Sequence, residues 1–267
     1  MKRVLIKMTF VLGGILLLLS GCDGCSTSSD SDNEPEQVMN VKITKSTTSN
    51  NGKFGTNPPK YYFDVTYVLF GANFKQIKIN NETFYENDIY SEVFQDGYQG
   101  DIDPEKNKTK RFAAYSEGAV NIALETNVGS LVGSIDIPAA ITNVSHPTKM
   151  ALGEDLILDW DCENADYYQV WLRFEGANGK QVLNYFPTQS QLTVSGKVFT
   201  NNGIIEVAIF PNKGINFNTN SNLNSVKQNL ESKSSQANLT GSGIGFLNST
   251  STAESFEKDI TIGSGRQ

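Results

Sequence analysis

Histidine, charge and long apolar segments are scarce in this chain, and each scarcity excludes a class of function. The one histidine among 267 residues is His146, so no pair of histidine bases is available, and a lone histidine before a proline in a linker is a poor general base. Charged residues make up only 19% of the chain, and the lysines are scattered without the basic stripe typical of nucleic-acid binding. After the first 19 residues, no apolar run approaches the roughly 20 residues of a membrane-spanning helix. The sequence therefore predicts neither a histidine-based enzyme nor a nucleic-acid-binding protein.

The abundant residues favour β-structure. Hydrophobic residues amount to 38% and aromatic residues to 10%, which is enough for well-packed cores. Most of the polar remainder is Asn, Ser, Thr and Gly, a balance that suits β-rich modules joined by turns. The net charge of −7 mainly indicates solubility. Because the chain is too long for one immunoglobulin-sized sandwich of about 100 residues, we predict an all-β fold with two tandem antiparallel β-sandwiches.

Residues 1–21 have the parts of a secretory signal peptide: a cationic start, the apolar run 8–19 and small residues before a cleavage point. The sequence Leu19-Ser20-Gly21-Cys22 resembles the lipobox of bacterial lipoproteins. That resemblance implies cleavage before Cys22, diacylglycerol on its sulfur and usually a further acyl chain, such as palmitate, on the new amine. The apolar run is too short for the alternative of a transmembrane helix. A signal peptide cut elsewhere is the other alternative, and it would leave Cys22 as a plain thiol.

Residues 22–37 form a predicted tether between the lipid and the folded chain. They contain almost no apolar residue, so burial cannot offset the entropy of ordering them. The lipoprotein resemblance implies an extracytoplasmic position in the bacterial cell envelope. Asp23 resembles the inner-membrane retention signal of enterobacterial lipoproteins, but that rule does not hold in all phyla, so the inner and outer membranes are both open.

The sequence leaves two alternatives for the other cysteines. Cys25 and Cys162 either form a disulfide or stay as two unpaired thiols.

A first sandwich is predicted over residues 38–138. Short β-branched and aromatic runs recur there at about ten-residue spacing with turn residues between them, as in antiparallel sandwiches. The runs are 38–43, Tyr61–Phe70, Phe74–Ile79, Glu82–Tyr85, Ala119–Thr126 and 130–137. The proline-bounded segment 138–147 is the predicted junction.

A second sandwich is predicted over residues 139–267. Its Leu158-x-Trp160, Ala165-x-x-Tyr168-x-Val170 and Val207-Ala-Ile-Phe-Pro-Asn-Lys-Gly214 patterns resemble fibronectin type III and related immunoglobulin-like domains. The resemblance implies Trp160 on the second strand, and Tyr168 and Val170 on the third. The chain departs from that family after Gly214, where a polar insertion near 215–242 precedes the predicted last strands, 244–247 and 255–262. Helical spacing of Leu223, Val226 and Leu230 indicates a short helix in the insertion, and a simple loop is the alternative.

Aromatic residues cluster in the first block, at Tyr85, Tyr90, Phe94 and Tyr98. If exposed, they could stack on sugar rings or anchor a protein partner. Packing in a core or an edge strand would use the same residues, and it is the more ordinary outcome. Tyr85, Tyr90 and Tyr98 are the candidate ligand-binding residues.

An acidic turn in the second block offers carboxylates of the kind that bind Ca²⁺, at Asp159, Asp161, Glu163 and Asp166. On an alternating strand, however, Asp159 and Asp161 point to solvent on the face opposite Trp160. We therefore predict a hydrated turn and no metal site.

The sequence thus predicts a lipid-anchored envelope lipoprotein that serves, without catalysis, as a binding, adhesion or spacer module. No catalytic residue, cofactor or nucleic-acid partner is expected. The expected partners are the membrane, through lipid on Cys22, and an unidentified protein or glycan. The alternative is a carbohydrate-binding lipoprotein of a glycan-uptake system that uses the three tyrosines as stacking platforms.

Overall fold

A computed structural model describes residues 37–47, 61–94, 97–103, 106–115, 118–216, 223–252 and 255–263. The predicted signal peptide lies outside these residues, and so do Cys22 and Cys25. The described residues contain two α-helices, α1 (Lys108–Ala114) and α2 (Leu223–Ser232). Their strands are β1 (Val38–Thr47), β2 (Tyr61–Phe70), β3 (Phe74–Ile79), β4 (Glu82–Tyr85), β5 (Ile89–Phe94), β6 (Gly97–Ile102), β7 (Ala119–Thr126), β8 (Ser130–Asp136), β9 (Thr142–Ser145), β10 (Lys149–Met150), β11 (Leu156–Asp161), β12 (Tyr167–Gly176), β13 (Gly179–Tyr185), β14 (Gln191–Val194), β15 (Gly203–Lys213), β16 (Thr240–Gly241), β17 (Ile244–Ser251) and β18 (Phe256–Ile262).

The predicted all-β sandwich class is confirmed. A large ten-stranded sheet runs in the order β10-β18-β15-β17-β1-β2-β6-β5, with β12 paired to β15 and β13 paired to β12. A five-stranded sheet, β16-β8-β7-β3-β4, and a three-stranded sheet, β14-β11-β9, complete the sandwich layers. Neither described helix is long and apolar enough to cross a membrane.

The first core lies between the β1, β2 and β6 part of the large sheet and the five-stranded sheet. On β2 the alternate residues Phe63, Val65, Tyr67 and Leu69 are all buried, as the period of two of a half-buried strand requires. They pack in one apolar cluster with residues of β3 and β7, such as Ile77 and Leu124.

The second core lies between the β12, β15 and β18 part of the large sheet and the three-stranded sheet. Trp160 on β11 is 1% exposed, and its ring meets the edge of Tyr168 on β12 at 5.0 Å between centroids. Val170 and Ile209 belong to the same cluster. The outward direction predicted for Asp159 and Asp161 is confirmed, because both are exposed on either side of buried Trp160.

The C-terminal strands join the two parts of the large sheet. β17 runs parallel to β1, from the pair Val38–Ile244 to the pair Lys45–Ser251. β18 then runs antiparallel to β15. Between them, β17 pairs with β15 at Asn212–Thr250 and at Lys213–Ser249. Residues 244–251, which the sequence places in the second block, therefore supply a strand beside the first, and this pairing crosses the predicted boundary at residue 138.

Two connecting segments are more ordered than a simple linker or loop. The predicted junction 138–147 contains β9, which pairs with β11 in the three-stranded sheet. The insertion near 215–242 contains α2, so the helical alternative is confirmed. Val226 and Leu230 of α2 pack on Val38, Phe70 and Phe246, on the face of the large sheet that is opposite the first core.

Candidate functional site

The large sheet has an outer face, which we define as the side chains that alternate with the core residues along each strand. α2 covers one end of this face. Beside α2 the face is open and forms a groove of about 490 Å³, within the roughly 300–1,000 Å³ typical of small-ligand sites. The side chains that line it come from several strands and the loop after β15, and they include Asn40, Lys42, Thr66, Val68, Gln99, Tyr167, Gln169, Trp171, Asn184, Phe186, Asn212, Ile215, Asn216 and Asn248.

One wall of the groove is mostly polar. Strand pairing places Asn248, Lys42 and Thr66 in one row across β17, β1 and β2. The next row contains Asn40, Val68 and Gln99 on β1, β2 and β6. Side chains that share a face of neighbouring strands lie about 5 Å apart, so the two rows form a continuous surface.

The opposite wall carries large aromatic rings. Trp171 on β12 is 44% exposed, and Phe186, just after β13, is 43% exposed. The indole of Trp171 contacts Phe210 on β15 with the rings 5.1 Å apart and inclined at 60°. Trp171 also pairs across the strands with Asn184. The sheet therefore holds an accessible indole in place beside an amide.

The floor of the groove is fixed by buried amides where β15 meets β17. Asn248 is 4% exposed, accepts a hydrogen bond from the Ile215 backbone N–H at 2.6 Å and donates one to Asn40 Oδ1 at 2.5 Å. Asn212 is 2% exposed and donates from Nδ2 to the Phe210 carbonyl at 2.8 Å. These contacts hold the outer rows of both walls in register.

The groove is close to neutral. Among the described residues that line it, Lys42 is the one charged side chain, and none is a carboxylate, a histidine or a cysteine. Burial lowers the pKa of Lys42 from its ordinary value. Burial, assisted by the nearby Asp166 charge, raises the pKa of Tyr167 to about 12, so this phenol keeps its proton and can donate a hydrogen bond at neutral pH.

The three tyrosines selected from the sequence lie in different environments. Tyr85 is 55% exposed at the end of β4, on the five-stranded sheet. Tyr98 is half-buried, packs against the first core and donates from its hydroxyl to Asn73 Oδ1 at 2.7 Å. Tyr90 is 63% exposed and pairs with Asp101, which pairs with Thr66, so it lies on the outer face that forms the groove. The structure thus separates the three rings and leaves only Tyr90 on the same face as the groove.

The remaining chemical candidates are far from a reactive arrangement. Cys162 is a free, half-buried thiol whose Sγ lies 3.3 Å from the Ala139 carbonyl oxygen. Burial, together with the charge of Glu163, raises the pKa of Cys162 to about 11, so it stays a thiol. No group of three or more His, Cys, Asp and Glu side chains in the described parts of the chain could hold a metal ion.

Sequence reasoning missed the groove residues because most are single polar or aromatic residues that alternate with core residues along a strand. The alternation in β1, where Asn40 and Lys42 interleave with Met39, Val41 and Ile43, was the available signal. No protein-family model matches this chain, and no curated protein matches it either.

Proposed function

We propose that the protein is a lipid-anchored, extracytoplasmic and non-enzymatic binding module of the bacterial cell envelope, and that the groove on its outer face is the binding site. The observation that carries this proposal is the open groove itself, with two accessible aromatic rings on one wall and rows of amides on the other. A concave site lined by aromatic side chains with a few polar groups is the usual form of a ligand-binding site.

The lipid anchor is supported by the Leu19-Ser20-Gly21-Cys22 motif behind an apolar run of signal-peptide length. Each buried CH₂ of an acyl chain contributes about 0.8 kcal/mol, so two or more chains on the first mature residue hold the protein durably at a membrane.

An immunoglobulin-like character of the sandwich around the second core is part of the proposal. It is supported by the burial of Trp160 on β11 and of Tyr168 and Val170 on β12, two consecutive strands in different sheets. Such sandwiches commonly present binding surfaces on a rigid scaffold.

The absence of catalysis is supported by the composition of the groove. Hydrolysis of a glycosidic bond needs a pair of carboxyl groups, and acyl transfer needs an activated nucleophile with a base. The described lining residues contain no carboxyl group, no histidine and no cysteine. Binding is therefore the chemistry that this arrangement can perform.

Membrane fractionation of cells that produce the full chain tests the anchor. We expect wild-type protein in the membrane fraction, with a mature N-terminus whose mass includes the acyl groups. Cys22→Ser should move the protein to the soluble fraction or leave it unprocessed and unacylated. Cys25→Ser, three residues away, is the matched control and should behave as wild type. An acyl-free wild-type N-terminus, or release by Cys25→Ser in place of Cys22→Ser, would contradict the proposal.

A further inference from the structure

We propose that the groove binds a neutral oligosaccharide, with one sugar ring stacked on Trp171 beside Phe186 and with the hydroxyl groups bound by the amide rows. This inference rests on the proposed binding function of the groove and adds the chemical class of the ligand.

The aromatic wall matches the apolar face of a sugar ring. A pyranose presents C–H groups on its faces and hydroxyl groups around its edge, so it can cover an aromatic ring and still keep its polar rim available. Trp171 offers such a surface because it is 44% exposed and packed edgewise against Phe210. A ring already held by its neighbours loses little freedom when a ligand covers it.

The amide wall matches the polar rim of a sugar. Each Asn or Gln side chain supplies two N–H donors and a carbonyl acceptor, and each sugar hydroxyl can both donate and accept. Asn40 and Gln99 stand in one row of the groove, while Gln169 and Asn184 flank Trp171 on the other wall. A ring on the indole therefore has hydroxyl partners on both sides.

The charge of the groove selects against ionic ligands. Its described lining contains Lys42 and no carboxylate, and the whole chain has a net charge of −7. A single ammonium group cannot bind a polyanion against that overall charge, and a basic peptide would find no carboxylate among the described residues that line the groove. A neutral and strongly hydroxylated ligand meets no electrostatic repulsion in such a site.

The outer face continues from the groove along a row of side chains towards β5, which favours a chain of sugars over a single ring. The row that contains Asn248, Lys42 and Thr66 continues through Asp101 on β6 to Tyr90 on β5. Strands are spaced by about 4.8 Å, so Tyr90 lies about 10 Å beyond Thr66. An oligosaccharide that fills the groove and continues along this row reaches the exposed Tyr90 ring.

Isothermal titration calorimetry on the full acylated chain tests the inference, in a zwitterionic detergent because maltoside and glucoside detergents would compete. The probes are maltohexaose, cellohexaose, xylohexaose and mannohexaose, with a hexameric oligogalacturonate as the acidic comparison and the matching disaccharides as short ligands. We expect at least one neutral hexasaccharide to bind and the oligogalacturonate to bind more weakly or not at all.

Variants locate the binding. Trp171→Ala should weaken the binding of the neutral hexasaccharide by at least about tenfold, the effect of losing a central aromatic contact. Tyr85→Ala, which removes a 55% exposed ring on the five-stranded sheet, is the matched control and should bind as wild type. Tyr90→Ala should weaken the hexasaccharide and leave the disaccharide unchanged. Thermal unfolding of each variant verifies folding, and Trp171→Phe, which keeps a ring, should retain part of the affinity.

Several results would overturn the inference: no binding of any neutral hexasaccharide, preference for the oligogalacturonate, or equal losses in Trp171→Ala and Tyr85→Ala. An unchanged hexasaccharide affinity in Tyr90→Ala would overturn the extension to β5. These outcomes are independent of the lipid anchor. A protein that stays membrane-bound through Cys22 but binds no sugar would contradict only the proposed ligand class. A sugar-binding protein without acylation would contradict only the proposed anchor.

Discussion

Lys42 shows how a single residue of the groove opposes folding. It is half-buried on β1, between the core residues Val41 and Ile43. It makes no ion pair with a carboxylate of the described residues. Burial without a partner disfavours the charged form, and this lowers the pKa of Lys42 from its ordinary value of 10.5. A residue that weakens the fold but contributes a hydrogen-bond donor to the groove is typical of a functional site.

The sign of the resulting pH dependence follows from proton binding. Because the pKa of Lys42 is lower in the folded chain, the unfolded chain binds more protons between the two pKa values. The penalty is therefore full below the folded-state pKa, and stability recovers as pH rises towards 10.5 and above.

We predict that Lys42→Met stabilises the protein at pH 7 by about 0.5–2 kcal/mol, the range of single stabilising substitutions. Methionine keeps the apolar stem and removes the buried charge. Thermal or urea unfolding at pH 7 should show the gain, and the gain should shrink as pH rises past the pKa of Lys42. Lys78→Met, at an exposed position on β3, is the control and should change little. A destabilised Lys42→Met variant at pH 7 would contradict this account.

At the scale of elements, β17 is a polar strand in a buried position. Ser249, Thr250 and Ser251 are each 4% exposed or less. Burial of Ser249 and Thr250 is tolerated because their hydroxyls have backbone partners on other elements. Ser249 Oγ donates to the Asp136 carbonyl at 2.7 Å, and Thr250 Oγ1 donates to the Pro211 carbonyl at 2.9 Å. Hydrogen bonds therefore replace apolar packing where the two parts of the large sheet meet.

We predict that Thr250→Val lowers the free energy of unfolding by about 1–3 kcal/mol, although valine has nearly the same shape and favours strands. The loss arises because the Pro211 carbonyl stays buried without its hydroxyl donor. Chemical unfolding of the purified protein measures it. The control is Thr261→Val on β18, an exposed position where the change should stay within about 0.5 kcal/mol. Equal effects of the two substitutions would show that the Thr250 hydrogen bond contributes no stability.

The sequence predicted strands correctly where apolar residues recur, and the prediction failed where the strand is polar. Tyr61–Phe70, Phe74–Ile79 and Glu82–Tyr85 match the structure end to end, because β-branched and aromatic residues alternate between turns. The core position predicted for Trp160 is also confirmed. By contrast, the strand β9 in the predicted junction and the Ser-Thr-rich end of β17 depend on partners elsewhere in the chain that no local pattern displays. The pairing of β5 with β6 was also missed, although the two strands are adjacent in sequence.

The groove was beyond sequence reasoning for a related reason. Its lining comes from β1, β2, β6, β12, β13, β15 and β17, which span most of the described chain. Only the order of strands in the large sheet brings Lys42 and Trp171 to one surface. The tyrosine cluster was close in sequence but is divided by strand alternation and by sheet, so proximity along the chain was a poor guide to the site.

At the scale of the whole molecule, the two cores are interleaved along the chain. β1 to β8 build the first core, β9 to β15 build most of the second, β17 returns to the first, and β18 returns to the second. Residues 35–267 accordingly form one compact unit. If the chain were divided at residue 138, the N-terminal half would lack β17, and the C-terminal half would carry β17 without its neighbour β1.

We predict that neither 23–138 nor 139–267 folds stably alone. The first fragment loses β17, so the β1 edge is exposed and the burial of Phe246 and Leu247, both 0% exposed, is lost. Each of these side chains contributes about 1.5–3 kcal/mol, against a total stability of about 5–15 kcal/mol for a typical domain. In the second fragment Leu247 loses the first core, and Phe246 keeps its contacts with α2 but loses Val38 and Phe70. Each fragment alone should give narrow amide dispersion in ¹H–¹⁵N spectra. Mixing the two fragments should restore the spectrum of the intact chain. A well-dispersed spectrum from either fragment alone would show that the interleaved strands are dispensable.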